Sequence, residues 1–532
     1  MATVEGEASY EDLDLSEVDL APDASAATEI TLADGASSGG SGVSVDGDTV
    51  TISAAGTYVL SGTLSDGQVV VNVVDDDVAL ILDGVDITMS DAPGIQVDDA
   101  SNVIVYTAAG TTNSVSDTGT YDETDDTVGG AAIYSSADLF LAGEGTLVVD
   151  GGRNDGITSK DSLVIASGTY EITATDDGIR GKDHLVILDG DIAVDATGDA
   201  LKSDNEADND ESERFVGIVW IAGGSLDLRS GTDGIDAANQ VTIAGGTLAI
   251  DAGDDGIHSE VYLRIGDAEI DIANSYEGLE AALIYLDGGD VSIVASDDGI
   301  NATDGSSNQE TATQTMGGPP GGTAGGERPE RPGAVDSAAG ASSAPQSESD
   351  SPALTDAVEV QAPVDIVEDN VGIYIDGGTY VIDAVGDGVD SNGNIQMSGG
   401  VVVIAGPETD REGPIDYNGE FALDGGVIAA SGASGMAEAP DGGEQPYVWL
   451  TFNMSLAAGT VISVVDDGGE LIASYTTEKT SASLVLSTPD IESGATYTVV
   501  SGGSVAGGEE VGPLTVGGTL TGGNELGSLT AS

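Results

Sequence analysis

Short runs of alternating apolar and polar residues recur along most of the chain. The runs are rich in Val, Ile and Thr and are separated by Gly and Asp, as in Leu163–Gly168 and Tyr170–Thr175. Alternation with a period of two is typical of a strand that buries one face, and no helical period competes with it. The pattern therefore predicts an all-β fold.

A short motif, Asp-Gly-Ile or a close relative, recurs between these runs. Most successive copies begin 22 residues apart, and the two longest steps contain an acidic stretch and a low-complexity stretch. Three short strands for every 22 residues, with Gly at the corners, predict the coils of a parallel β-helix, which stack to bury a continuous apolar column. The motif begins at Asp155, Asp177, Asp199, Asp233, Asp255, Glu277, Asp298 and Asp387.

Composition divides the chain into six segments. The first is acidic and Ser-rich, lacks the basic and apolar regions of a signal peptide, and is predicted to be disordered. A later stretch rich in Gly, Pro, Ser and Ala interrupts the repeats and is predicted to be a disordered insertion. The predicted segments are a leader (1–27), β-helix (28–303), the insertion (304–365), the final coils (366–440), a β-rich C-terminal cap (441–505) and a Gly-rich tail (506–532).

The charge balance excludes several classes of protein. Asp and Glu number 95 against 12 Lys and Arg, which gives a net charge of −83. Such a chain does not bind a phosphate backbone by counterion release, so no nucleic-acid partner is expected. Cys is absent, which excludes disulfides, and no apolar run is long enough to predict a transmembrane segment. Repulsion among so many carboxylates calls for salt screening or bound divalent cations.

Stacked coils would place the first residue of each motif in a ladder. Neighbouring ladder carboxylates would lie about 4.8 Å apart and, at about 4 Å, unit charges repel by about 1 kcal/mol even in water. Oxygen-only donors suit a hard cation, so we predict Ca²⁺ between the coils. The alternative is that these residues form turns that cap the corners, with Gly supplying a positive φ. The predicted ligands are Asp155, Asp176, Asp177, Asp199, Asp233, Asp254, Asp255, Asp297, Asp298, Asp387 and Asp390.

The few basic residues concentrate beside this ladder. Lys160 and Lys182 each follow a ladder residue by five positions, and Arg180 and Lys202 each follow one by three. The stacking places all four on one edge, where they either pair with neighbouring acids or form a subsite for an acidic or polyhydroxylated sugar chain. A Lys could also act as a base, although acidic surroundings raise its pKa. His258 and His184 occupy unrelated positions and are not expected to be ligands.

Five stretches share the corner motif at fixed spacing: Asn154–Asp161, Asp176–Asp183, Gly198–Asn205, Gly386–Gly393 and Gly413–Gly419. Together they resemble a known family, the bacterial carbohydrate-binding domain-containing β-helix proteins. The resemblance spans roughly residues 28–505. It implies a right-handed parallel β-helix, similar in fold to pectate lyases, that is secreted or attached to the cell surface. It also implies binding of Ca²⁺ and of cellulose or pectic acids without catalysis.

Three functions are compatible with these observations. The first is an extracellular or cell-surface monomer that binds Ca²⁺ and a polysaccharide, either cellulose or a polyuronate. The second is a Ca²⁺-dependent polysaccharide lyase with Lys160, Lys182 or Lys202 as the base. The third is a structural surface or adhesion protein in which Ca²⁺ provides rigidity alone.

Overall fold

The computed structural model describes residues 7–13, 15–119, 130–206, 215–303 and 370–532. Apart from two 3₁₀ helices, Tyr10–Leu13 and Ala24–Ala26, the regular elements of these residues are strands, so the all-β prediction is confirmed. The described part of the chain contains no helix that is long and apolar enough to cross a bilayer. The predicted insertion falls outside the described residues.

Thirty-seven strands form one sheet in which most neighbours pair in parallel at the repeat distance. Leu163 pairs with Leu185, and Leu185 with Val219, so apolar residues stack on apolar residues of the next repeat. The prediction of a right-handed parallel β-helix is wrong, because 12 strands close into a parallel β-barrel and 25 further strands belong to the same sheet. Alternation and register specify which strands are neighbours, whereas tilt and stagger decide how a sheet closes.

Parallel pairing connects the strands in three series. The first series carries the ladder and contains β3 (Thr49–Ile52), β5 (Gln68–Asn72), β7 (Ile95–Asp99), β10 (Ala131–Ser135), β13 (Asp155–Ser159), β16 (Ile179–Gly181), β19 (Leu201–Ser203), β22 (Ile235–Ala237), β27 (Ile300–Ala302), β30 (Val389–Ser391) and β33 (Ile415–Tyr417). The second contains β1 (Thr28–Leu32), β8 (Asn102–Thr107), β11 (Asp138–Gly143), β14 (Ser162–Ile165), β17 (His184–Ile187), β20 (Ile218–Ile221), β28 (Gly372–Ile375), β31 (Asn394–Met397) and β34 (Phe421–Leu423). The third contains β9 (Thr112–Asp117), β12 (Thr146–Gly151), β15 (Thr169–Ala174), β18 (Asp191–Ala196), β21 (Ser225–Arg229), β26 (Asp290–Ala295), β29 (Thr379–Ala384), β32 (Val401–Ala405) and β35 (Val427–Gly432).

Some strands of this sheet belong to more than one series or flank them. Five long strands pass through at least two series: β4 (Gly56–Leu64), β6 (Val78–Met89), β23 (Gln240–Asp251), β24 (Ile257–Ser275) and β25 (Leu279–Leu286). Three more pair antiparallel with their neighbours: β2 (Val43–Asp46), β36 (Val448–Leu456) and β39 (Ser481–Ser487).

The C-terminal residues form a separate antiparallel sheet. Its strands continue almost to the last residue, so the predicted boundary between cap and tail falls inside this sheet. The six strands are β37 (Val461–Val465), β38 (Leu471–Thr476), β40 (Thr496–Ser501), β42 (Glu509–Val511), β43 (Leu514–Val516) and β45 (Asn524–Thr530), with a small ribbon of β41 (Ser504–Ala506) and β44 (Thr519–Thr521) beside it.

The Gly of the repeated motif is required by packing rather than by backbone conformation. None of the motif glycines has a positive φ. A Cβ atom on Gly178 would lie 2.3 Å from the side chain of Val194 and 2.7 Å from the carbonyl oxygen of Ala200. The corner of each repeat therefore rests directly on the next, and the predicted role of a positive φ is wrong.

An N-terminal strap, formed by residues 7–13 and 15–20, lies on the outer side of the second series. Ala8 and Leu13 are buried and belong to the same cluster as Phe140 and Val186. Burying these outward apolar side chains stabilises the strap against the barrel. The prediction that this segment is disordered is therefore wrong for the described residues of the strap.

Candidate functional site

The ladder residues lie at the corners that lead into the first series. Five of the carboxylates reach the following repeat, where each accepts a hydrogen bond from the backbone N–H of the next ladder residue; they belong to Asp177, Asp199, Asp233, Asp255 and Asp298. The Oδ1 atom of Asp177 is 3.0 Å from the nitrogen of Asp199, and the Oδ1 of Asp233 is 2.9 Å from the nitrogen of Asp255. The corner-capping alternative thus describes one oxygen of these residues, and the second oxygen is left for other partners.

A second line of side chains, which we call the companion row, runs beside the ladder. Each member but the last follows a ladder residue by three positions, and the last follows Gly413 by three. Neighbouring members pair in register from one repeat to the next. In chain order the row contains Thr158, Arg180, Lys202, Asp236, His258, Glu280, Asn301, Asp390 and Asp416.

Two basic members of the companion row are bound by acids. The guanidinium of Arg180 lies 3.7 Å from Asp155 Oδ2 and also pairs with Asp204. Lys202 Nζ contacts the carboxylate of Asp199 and lies 3.8 Å from Asp177 Oδ2.

These contacts support one of the two roles predicted for the two residues, and the role in binding a sugar chain stays a prediction. Burial opposes the charged form of Lys202, but the neighbouring carboxylates outweigh burial and raise its pKa. Arg180 and Lys202 therefore pair with acids of their own chain, which was one of the two roles left open.

His258 supplies a third internal cation. Its Nδ1 atom is 2.9 Å from Asp236 Oδ1, and its Nε2 atom is 3.9 Å from Glu280 Oε2. Burial lowers the pKa of His258, but the hydrogen bond to Asp236 and the surrounding acids outweigh it and raise the pKa to about 10. His258 thus belongs to the site as an internal cation, and the expectation that it is not a metal ligand stays a prediction. His184, by contrast, is buried on the second series against Ser162 and Phe215.

The remainder of the ladder is an acidic half with two carboxylate clusters. One contains Asp255, Glu277 and Glu280, and the other contains Asp387, Asp390 and Asp416. In each cluster, one oxygen from every residue lies within 4.8 Å of the others.

Burial strongly disfavours the charged form of these carboxyl groups. It raises the pKa of Asp387 to about 9 and that of Asp390 to about 8, and Asp298 adds to both shifts. Burial likewise raises the pKa values of Asp255 and Glu277. At neutral pH such groups require a proton or a cation.

Asn301 lies in the companion row between the two clusters. It is 9% exposed, and its Nδ2 atom donates to Glu277 Oε2 at 2.9 Å. Its Oδ1 atom is buried without a hydrogen-bond partner among the described residues. A buried amide oxygen without a donor is costly, and amide oxygens are among the ligands that Ca²⁺ prefers.

The geometry of the acidic half fits a hard cation. Oxygens that share one Ca²⁺ at about 2.3–2.6 Å are at most about 5 Å apart, as they are in both clusters. The cluster of Asp233, Asp236 and His258 is different, because the imidazolium already provides its positive charge.

The structure groups the predicted metal ligands in three ways. Asp233, Asp255, Asp387 and Asp390 belong to the clusters. Asp155, Asp177 and Asp199 face internal cations, and Asp298 accepts the N–H of Asp387 at 2.6 Å. Asp176 is exposed, Asp254 and Asp297 are half-buried, and none of these three joins a cluster among the described residues.

The sequence prediction missed five members of the clusters. They lie in the companion row or at the one ladder position occupied by Glu. The three-residue offset shared by Arg180 and Lys202 was a signal that, extended to the later ladder residues, points to three of them. The missed residues are Asp236, His258, Glu277, Glu280 and Asp416.

The other two predicted sugar ligands, Lys160 and Lys182, are exposed beside the ladder. Lys160 Nζ lies 5.6 Å from the centre of the Tyr134 ring, a distance typical of a cation–π contact. Neither lysine takes part in the ion pairs of the ladder that the structure describes.

Comparison with known proteins identifies the family. A family model described as carbohydrate-binding domain-containing protein matches residues 46–318. A protein of the same description from Acetivibrio thermocellus (strain ATCC 27405) is 40% identical over 204 residues, which is 38% of this chain and 70% of that protein. A solved structure of the polysaccharide lyase-like protein from C. thermocellum, a gadolinium derivative, has a TM-score of 0.43 and 29% identity over 45% of this chain and 96% of its own. The chain belongs to the family of carbohydrate-binding domain-containing proteins.

Proposed function

We propose that this protein binds polysaccharide outside the cell or at its surface, and that its acidic half binds Ca²⁺. Membership of a carbohydrate-binding family supports the first part. The second rests on the uneven placement of cations along the ladder. Arg180, Lys202 and His258 neutralise one half, whereas burial keeps the other half in need of a cation.

The residues of the two clusters, together with the amide of Asn301, would hold the ion. Bound Ca²⁺ would neutralise their carboxylates and could accept further oxygen ligands from a sugar. Both clusters are formed by residues of the ladder and of the companion row. The corner geometry that stacks the repeats therefore also brings the oxygens of each cluster together. Extracellular modules bind Ca²⁺ with dissociation constants of about 10⁻⁴–10⁻³ M, which suits a protein outside the cell.

The contacts of Lys202 favour binding without cleavage over the lyase alternative. A lyase base must be able to lose its proton at the working pH. Lys202 is held by Asp199 and its pKa is raised, which is the opposite of what this role needs. This argument applies to Lys202 alone, since Lys160 and Lys182 lie outside the ion pairs of the ladder. On this basis, and on the carbohydrate-binding family, we propose a non-catalytic binding protein.

The test compares the variant D387N/D390N with the control D191N in the full chain. Asp191 is exposed on β18, so its change alters charge without touching the ladder. We expect D387N/D390N to lower Ca²⁺ affinity at its cluster about tenfold or more, because two charged ligands are lost. Isothermal titration with Ca²⁺ measures this, and the control should bind as the parent protein does.

Polysaccharide binding is measured in the same proteins by sedimentation with cellulose and with cross-linked polygalacturonate, with Ca²⁺ or with a chelator. Retention of the parent protein on at least one polysaccharide is the expected result. Failure to bind any polysaccharide in either condition would contradict the proposed function. Ca²⁺-dependent melting without sugar binding would instead indicate the structural role.

A further inference from the structure

The outer side of the third series contains an open hollow. It has a volume of about 310 Å³ and lies across β12, β15, β18 and β21. Its lining includes Val148, Glu171, Thr173, Ala193, Asp195 and Arg229. The size and position are those of a shallow surface groove rather than of an enclosed pocket.

The register of the strands explains the hollow. Glu171 of β15 pairs with Ala193 of β18, and Ala193 pairs with Asp227 of β21. The small Ala193 side chain thus lies between two longer ones and leaves a gap on the surface of the sheet. Val148, in register with Glu171, continues the apolar floor.

Polar groups surround this floor and remain available to a ligand. Glu171 and Asp195 are exposed, and neither makes a side-chain hydrogen bond or ion pair among the residues that the structure describes. The side chain of Arg229 is 56% exposed and pairs with Asp227 at 3.0 Å. Arg229 is thus more exposed than Arg180, whose guanidinium pairs with a ladder acid.

We propose that this hollow is a subsite for one neutral sugar residue of a polysaccharide chain, which rests on the proposed polysaccharide binding and names where the sugar lies. Carboxylates accept hydrogen bonds from sugar hydroxyls and guanidinium donates them, while Ala193 and Val148 contact the C–H face of the ring. Three acids, Glu171, Asp195 and Asp227, outnumber the one Arg. The local charge therefore disfavours a uronate and favours an uncharged sugar.

The test uses the full chain with the double variant E171A/D195A and the single variant R229A. The matched control is E269A, because Glu269 is exposed on the part of β24 that belongs to the third series. The probes are cellohexaose, xylohexaose and mannohexaose, with Ca²⁺-loaded polygalacturonate as the charged comparison. Because the altered side chains are exposed, all variants are expected to melt within a few degrees of the parent protein.

We expect E171A/D195A to weaken binding of the preferred neutral hexaose about tenfold or more, since hydrogen bonds to charged groups are lost. R229A should weaken it as well, and E269A should not. Ca²⁺ stoichiometry and polygalacturonate binding should be unchanged in all of them.

Two results would overturn the subsite while leaving polysaccharide binding intact. One is unchanged hexaose affinity in E171A/D195A, and the other is a parent protein that binds polygalacturonate but no neutral hexaose. A parent protein that binds none of the probes would overturn both the subsite and the proposed function.

Discussion

At the scale of single residues, several ladder aspartates use one carboxylate oxygen to cap the next corner and leave the other oxygen for a different partner. Asp177 uses Oδ1 to cap the next corner and turns Oδ2 toward Lys202. The same division at Asp387, which accepts the N–H of Gly413, leaves an oxygen beside Asp390 and Asp416. The same residue type therefore connects successive repeats through one oxygen. Its second oxygen contacts a lysine in one repeat and other carboxylates in another.

Replacing Asn301 by Ala is expected to lower Ca²⁺ affinity about tenfold, equivalent to about 1.4 kcal/mol. The change removes the buried Oδ1 atom between the clusters and the donor to Glu277. The matched control is N102A, since Asn102 also has a buried Oδ1 without a partner and donates to Asp77, far from the ladder. Calorimetric titration of both variants measures the difference. Equal Ca²⁺ affinity in N301A and N102A would contradict the role of Asn301.

The sequence predicts the ladder well and the companion row poorly. The ladder repeats one residue type, so its pattern is visible without a structure. The companion row changes from Arg180 to His258 to Asn301, so only the spacing connects its members. Because their roles differ with the neighbours that stacking provides, the chemistry of the row becomes readable only when the register is known.

At the scale of elements, the strands and their 22-residue register follow from local alternation, whereas the strap does not. The strap is held by residues more than two hundred positions away. Gln240 accepts the N–H of Ala8 at 2.8 Å and donates to its carbonyl oxygen, and Arg264 forms a two-point ion pair with Glu7. A pattern read within one window of sequence contains none of these partners.

Replacing Arg264 by Leu is expected to release the strap without unfolding the barrel. The Arg264 and Glu7 side chains are only 5% and 2% exposed, and breaking a buried ion pair costs about 3–5 kcal/mol. Detachment returns Glu7 to water, so the loss should be local. Hydrogen exchange at residues 7–13 should rise about a hundredfold or more, while β14 stays protected. The variant E7Q/R264L should recover part of the protection. Unchanged exchange in R264L would contradict the role of the Glu7–Arg264 ion pair in holding the strap.

At the scale of the whole molecule, the net charge is −83, and the two halves of the ladder differ in how their negative charge is compensated. Internal cations neutralise one half of the ladder, while buried carboxyls remain in the other half. The sequence predicts that cations are needed but not where, because that depends on which repeat the few basic residues occupy. Closure of the sheet is equally unpredictable, since local alternation is the same in every closed parallel arrangement of these strands.

The metal-free protein is expected to lose stability as the pH rises from about 5 to 9. Asp387 and Asp390 have folded pKa values of about 9 and 8, whereas an unfolded Asp titrates near 3.9. The folded state therefore binds more protons in this range, and the free energy of unfolding falls by up to about 1.4 kcal/mol per pH unit for each group.

Melting temperatures in a chelator across this range measure the effect, and saturating Ca²⁺ should flatten the slope. The variant D387N/D390N provides the control, because it should lose part of the slope without metal. A melting temperature that rises with pH in the chelator would contradict the buried acidic half.

The strap has a consequence for the order in which the molecule matures. Its partners Gln240 and Arg264 are synthesised long after Glu7 and Ala8, and Asp287, which also holds Arg264, comes later still. During synthesis the strap must wait while the repeats assemble from the N-terminal end, because contacts of such long sequence separation form late. The earliest part of the strap is thus among the last to dock. Docking of the strap therefore requires that the barrel has formed as far as the repeat that contains Asp287.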